Sequence, residues 1–150
     1  MRVLLQRCLD ASVGVDDKIV GSISRGFVIF VGFTYSDDSS VIDYMVDKII
    51  NLRIFDDENG VMNKSILDTC GSILSVSQFT LYADSRKGRR PSYVNALSGD
   101  KASLLYDEFN YKLGSKISVS TGVFGADMKV SLINDGPVTI LLEKENNYER

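Results

Sequence analysis

Histidine is missing from all 150 residues. That absence excludes Ser-His-Asp and Cys-His catalysis, and it removes the commonest neutral-pH general base and the commonest zinc ligand. Cysteine is scarce. Cys8 and Cys70 are the only two, too few for a four-thiolate metal site, and in a chain with no export signal they read as reduced, partly buried thiols. No apolar run approaches the roughly 20 residues that span a bilayer. Met1-Arg2-Val3-Leu4-Leu5 gives way to Gln6-Arg7 where a signal peptide would continue its apolar core. A cytoplasmic protein without membrane contact, metal or cofactor is therefore expected. Excess positive charge is lacking too. A net charge of −3 argues against coating nucleic acid by bulk electrostatics, yet a local patch can still grip one end of an RNA. Any hydrolysis must then use backbone dipoles, a hydroxyl, a lysine or carboxylate, or a group on the substrate.

What is present suffices for one packed domain, 1–150: 44% of the residues are hydrophobic, and the length is too short for two comfortable domains. Arg2 to Cys8 alternates imperfectly, and Ala11–Val15, Asp16-Asp17 and Lys18–Ile23 read as a hairpin with a polar turn. Gly26–Val31 is almost continuously apolar, as in a central strand covered on both faces. Ser36-Asp37-Asp38-Ser39 supplies capping groups for a helix from about Ser39 to Leu52, with Ile42, Met45, Val46, Ile49 and Ile50 as its buried stripe. Asp56–Gly60 is an acidic turn that lacks the spaced ligands and terminal Glu of a calcium loop. After Ser98-Gly99-Asp100 as a start signal, Asp100–Leu113 forms a second helix with Ala102, Leu105, Tyr106, Phe109 and Leu113 on one face. Ile117–Thr121, Lys129–Ile133 and Val138–Leu142 read as three short strands, and the charged tail from Glu143 is expected to fray. The sum is a mixed α/β domain, a curved sheet or partial barrel covered by two main helices.

The stretch that invites chemistry begins at Ile73-Leu74-Ser75-Val76. This apolar run delivers Ser77-Gln78-Phe79-Thr80 to a strand end, and Arg86, Lys87, Arg89 and Arg90 follow in a loop punctuated by Gly88 and Pro91. A strand with a solvated charged turn is the plain alternative. If the chain turns at Phe79-Thr80, freed backbone N–H groups can stabilise an ester oxyanion, worth about 3 kcal/mol. Thr80 is then a donor or a nucleophile, and the donor role is favoured because no partner base is in view.

SQFTLYAD, the KGRRPSY after it, Gly122-Val123-Phe124-Gly125-Ala126-Asp127-Met128 and Asn134-Asp135-Gly136-Pro137-Val138-Thr139 together resemble the signatures of the D-aminoacyl-tRNA deacylases, with Met1–Arg7 and Asn51–Phe55 extending the likeness over nearly the whole chain. Tyr93, where phenylalanine is common, and Ser98-Gly99, in place of a more proline-rich helix start, are mild departures. The resemblance implies metal-free hydrolysis of the ester joining a D-amino acid to the 3′-terminal adenosine of tRNA, a proofreading reaction. It implies that Ser77, Gln78, Phe79 and Thr80 line the pocket, with either Thr80 or the substrate 2′-hydroxyl positioning the water. It further implies a homodimer in which a Gly136-cis-Pro137 segment enters the partner's pocket, held by Arg7, and rejects L-amino acids. Base frequencies for X-Pro bonds favour trans, and Arg7 unaided reads as a surface ion-pair residue. Phe124, by default a core ring, becomes a stacking surface for the adenine with Met128 nearby, and Arg86, Lys87, Arg89 and Arg90 become phosphate contacts to the acceptor stem. Whether glycine on tRNA is also cleaved is left open. A nucleic-acid-binding protein on the same fold, without hydrolysis, is the competing class.

Overall fold

The computed structural model describes residues 1–146. Strand β1 (Arg2–Val15) organises the sheet, because its two halves have different neighbours on one edge. Residues 2–8 pair antiparallel with β3 (Gly26–Gly32), and residues 11–15 pair with β2 (Lys18–Ile23). The Asp16-Asp17 turn between β1 and β2 has φ of 49° and 62°, the left-handed pair that matches hairpin twist. Beyond β3 the sheet continues in parallel through β6 (Ser72–Ser77) to β7 (Val119–Thr121). Ser120 Oγ then donates to Ser22 O at 3.1 Å and curls the two ends of the sheet together.

The curl creates two apolar compartments. Cys8, Val13, Val28, Leu74 and Val76 fill the inside of the curve. Val3, Leu5, Phe27, Ile29, Val31 and Ile73 face outward and are covered by α1 (Ser39–Asn51) and α3 (Gly99–Gly114). Strand β3 contributes to both, which is why its sequence is apolar without alternation. Helix α1 starts where Asp38 accepts from the Ser40 and Val41 N–H groups at 3.0 and 3.2 Å, a cap worth about 1 kcal/mol. It buries Val41, Ile42, Met45, Val46, Ile49 and Ile50, each contributing about 1.5–3 kcal/mol. Ser98 precedes α3, but its side chain makes no capping bond.

Several expectations require correction. Lys129–Ile133 and Val138–Leu142 belong to one strand, β8 (Lys129–Glu143), which lies along the other edge of β1. Its register jumps, with Cys8 opposite Asn134 and Gln6 opposite Thr139, so five residues of β8 span two of β1 and Asp135–Val138 bulge out of the ladder. Pro137 has no N–H to offer that ladder, and the pairing resumes beyond it. The acidic turn links a small hairpin, β4 (Phe55–Asp56) and β5 (Met62–Lys64), and a short helix α2 (Ile66–Thr69) with a Ser65/Asp68 capping box follows; neither was apparent in the sequence pattern. Among the described residues the α-helices thus number three, α1 and α3 being the two main ones expected over the sheet. The start of the charged tail is docked: Lys144 N donates to Met1 O, and the Met1 ammonium, itself ion-paired to Asp37, donates to Lys144 O at 2.7 Å. Residues 147–150, where the rest of the tail lies, fall outside the described residues.

Both cysteines are free. Burial pushes the Cys8 thiol up to about 11, while Cys70 stands exposed after α2. Thiolate is the reactive form. Iodoacetamide at pH 8 should thus label one thiol per native chain, at Cys70, and two after denaturation. Mass spectrometry of the labelled peptides checks the assignment, and fast native labelling of Cys8 would contradict this packing.

Candidate functional site

The site begins where β6 stops. Its buried run ends at Ser77, the Gln78 N–H donates to Val31 O at 2.7 Å, and the chain then tightens into a 3₁₀ turn, Phe79–Tyr82. Leu81 N donates to Gln78 O and Ala83 N to Thr80 O. The first donors of such a turn have no internal partner. Accordingly, the Phe79 and Thr80 N–H groups make no hydrogen bond among the described residues. Gly32 allows the turn to lie against β3: a Cβ there would sit 2.8 Å from Gln78 O and 3.2 Å from Leu81 Cβ.

Beside this turn is a cavity of ≈ 440 Å³, lined by Ser77, Gln78 and Phe79 at the end of β6, by Phe124, Gly125, Ala126 and Met128 of the 122–128 loop, and by Leu97, Gly99 and Ala102 at and before the start of α3. Gly125 has φ +77°, a conformation that lets the 122–128 loop reverse into the wall. The half-buried Phe124 ring leans on Tyr106, centroids 5.8 Å apart. Tyr106 is fixed in turn: its hydroxyl donates to Ser75 O at 2.9 Å and accepts from Ser75 Oγ at 3.2 Å, tying α3 to β6 beneath the cavity. Helical spacing places Tyr106 on the core face but does not reveal this pairing. Ser75 alone in an apolar run was the available signal, since a buried hydroxyl needs a partner. Tyr106→Phe should strand the fully buried Ser75 hydroxyl and cost about 1–3 kcal/mol, read as a lower urea midpoint with unchanged slope. Equal stability would mean that Ser75 finds another partner.

Thr80 is not on the cavity wall. It is exposed, and its Oγ1 accepts from the Gln78 amide at 2.5 Å. Phe79 reaches the cavity, yet it is 56% exposed and its ring stands 5.1 Å from that of Tyr93, edge to face. The basic loop is closed at its base by reciprocal 2.8 Å bonds between Asp84 and Ser92. Arg86 is spent inside the loop: Nε and Nη2 donate to the two Asp84 carboxylate oxygens at 2.9 and 2.7 Å, which holds that carboxyl down to about 2. Lys87, Arg89 and Arg90 are exposed and have no ion-pair partner among the described residues.

The Gly136–Pro137 bond is cis, and both residues are exposed, away from the cavity of their own chain. Arg7 lies beneath them, only 7% exposed, so the reading as a surface ion-pair residue is overturned. Its Nε donates to Asp135 O at 3.0 Å and its Nη1 to Ile54 O at 2.7 Å. Asn134 Oδ1 accepts the Val138 N–H at 3.1 Å and closes the bulge from the other side. Among the described residues, no helix is long and apolar enough to cross a membrane.

Residues 4–143 match the model of the D-Tyr-tRNA(Tyr) deacylase family. A curated D-aminoacyl-tRNA deacylase of Listeria monocytogenes serotype 4a (strain HCC23) is 54% identical over 146 residues, 97% of each chain. Among solved structures, one described as a c-Myc DNA unwinding element binding protein is 38% identical, with a TM-score of 0.92 over 97% of this chain and 100% of that one. Another, a probable eukaryotic D-amino acid tRNA deacylase, has a TM-score of 0.80 at 20% identity over 94% and 97% of the two chains, a likeness of fold alone.

Proposed function

The chain belongs to the D-Tyr-tRNA(Tyr) deacylase family and is a D-aminoacyl-tRNA deacylase; from that premise we propose how its residues carry out the reaction. The observation that supports the reading best is the pair of unpartnered N–H groups at Phe79 and Thr80 beside the cavity. The aminoacylated 3′-terminal adenosine enters this cavity, the adenine lying against Phe124 and Met128, and the ester carbonyl is directed at those two donors. Water attacks the carbonyl carbon, the N–H pair stabilises the tetrahedral oxyanion, and collapse expels the ribose 3′-oxygen. The proton lost by the water passes by way of the neighbouring 2′-hydroxyl to that oxygen. Atoms balance as free D-amino acid and tRNA. Thr80 suits a positioning role, since its hydroxyl is engaged by Gln78 and no base stands beside it to activate it. The scheme asks for no metal.

Selectivity for the D-enantiomer follows if the exposed Gly136-Pro137 bulge of a second copy enters the pocket, which makes the working unit a homodimer. Its carbonyls would hold the α-amine, and its backbone would collide with an L side chain. Support for this reading comes from the buried Arg7 buttress under an otherwise exposed bulge. Lys87, Arg89 and Arg90 supply phosphate contacts to the acceptor stem, and Arg86 shapes their loop. A tRNA substrate fits the expected cytoplasmic setting. The second reading, nucleic-acid binding without hydrolysis, draws on the 38% identical structure whose description names a DNA element.

One experiment separates the two. With a matched pair of D- and L-aminoacyl-tRNAs, the D-ester alone should be lost, and the rate should survive EDTA. Binding without loss of either ester would favour the second reading, and activity abolished by EDTA and restored by one metal ion would end the metal-free scheme. Neutralising Lys87, Arg89 and Arg90 together should weaken tRNA binding and lower its salt slope by about one for each phosphate no longer neutralised, with the D-over-L preference intact.

A further inference from the structure

Phe79 and Tyr93 are 56% and 43% exposed, touch each other edge to face, and are followed by Val94 at 71%. Isolated exposed apolar residues need no explanation, but two touching exposed rings, with an exposed valine next in the chain, are the kind of surface that marks a contact. The backbone holds it ready. The Asp84–Ser92 bridge closes the loop immediately before Tyr93, Tyr93 O accepts the Ala96 N–H at 3.0 Å, and Thr34 Oγ1 donates to Asn95 O at 2.6 Å. Lys87, Arg89 and Arg90 rise from the same closed base, exposed and without carboxylate partners among the described residues, on a chain whose net charge is −3. Aromatic rings beside unpaired cations are the chemistry that binds single-stranded nucleic acid, the rings stacking on bases and the cations meeting phosphates. Phe79 also walls the cavity, so the patch begins where a strand leaving the cavity would emerge.

We propose that Phe79 and Tyr93 form a stacking platform for the nucleotide preceding the terminal adenosine, with Lys87, Arg89 and Arg90 meeting the phosphates that lead from it toward the acceptor stem. The platform rests on the deacylase reading of the cavity. Stacking needs a ring and not the phenolic hydroxyl, so Tyr93→Phe keeps the platform and Tyr93→Ala removes it.

The test compares two minimal substrates, a D-aminoacyl ester of adenosine and the same ester of cytidylyl-adenosine. For the wild-type protein the added cytidylate should lower KM at least about five-fold, the lower end of a base–aromatic stack. Tyr93→Ala should lose that gain while hydrolysing the adenosine ester at the wild-type rate, and Tyr93→Phe should retain the gain. A gain that persists in Tyr93→Ala would overturn the platform. So would an equal fall on both substrates, which marks a structural role, or an altered oligomeric state with the cytidylate gain unchanged, which marks a surface between copies. If the wild-type protein cleaves neither ester and leaves D-aminoacyl-tRNA intact as well, the deacylase reading has failed. Calorimetric binding of unesterified cytidylyl-adenosine to wild type and Tyr93→Ala then decides the platform separately: an affinity loss of at least about five-fold supports it, and equal affinity refutes it.

Discussion

Arg7→Met is expected to lower stability by about 3 kcal/mol and to reduce deacylation at least about ten-fold per folded molecule. The first figure follows from the two hydrogen bonds that the buried guanidinium donates to Asp135 O and Ile54 O, each about 1.5–3 kcal/mol for a charged donor, less what the methionine regains by packing. The flanking carboxylates add little. Asp56 and Asp135 lie 3.6 Å from the guanidinium but are 55% and 30% exposed, so water resolvates them once the cation is gone. The second figure comes from position: with Arg7 removed, the 135–138 bulge keeps Asn134 and loses its inner support. Arg7→Lys should fall between, because one ammonium cannot reproduce a planar fork aimed at two carbonyls. Urea midpoints and D-aminoacyl-tRNA turnover, measured where each variant is fully folded, decide the matter. Lower stability with wild-type turnover would detach Arg7 from the chemistry.

The Arg7 buttress is a contact that no local pattern reveals. The α1 boundaries were legible because the Asp38 cap and the 3.6-residue period are written within fifteen residues, and β3 because an apolar run without alternation implies two covered faces. The end of β6 was legible as a place where hydroxyls and an amide interrupt an apolar strand. The rest depended on partners distant in sequence. Residues 129–143 read as two strands because Gly136-Pro137 punctuates them, whereas β1 pairs on both sides of the punctuation and joins them into one. Without the family resemblance, which implied that it holds the Gly-Pro segment, Arg7 reads as a surface charge; β8 and the segment at Ile54 close over it. Arg86 is indistinguishable in sequence from Lys87, Arg89 and Arg90, yet Asp84 two residues earlier takes its charge. Periodicity marks which face of an element is buried; it carries no record of what lies opposite.

Gly32 is a further position where the sequence was silent, and Gly32→Ala should cost about 100-fold in kcat with a smaller change in KM. The residue requires no left-handed backbone, so alanine is conformationally acceptable there. The obstacle is space. The new methyl would lie 2.8 Å from Gln78 O and 3.2 Å from Leu81 Cβ, and the closer atom is backbone that cannot rotate aside. Relief must come from moving the 3₁₀ turn away from β3, which carries the Phe79 and Thr80 N–H groups off the position they were assigned. Oxyanion donors act over a narrow range, about 2.7–3.1 Å, and displacement on the order of 1 Å costs about 100-fold. Overpacking of this kind also lowers stability by about 1–3 kcal/mol, small enough to leave the fold intact. Gly114→Ala serves as the control, because a Cβ at that end of α3 meets nothing within 4 Å. Both variants should keep the salt dependence of tRNA binding, because the basic loop is untouched, and only Gly32→Ala should lose turnover, its change in affinity being the smaller effect. If Gly32→Ala turns over D-aminoacyl-tRNA at the wild-type rate while its structure shows the turn displaced, the N–H pair at Phe79 and Thr80 is not what stabilises the oxyanion.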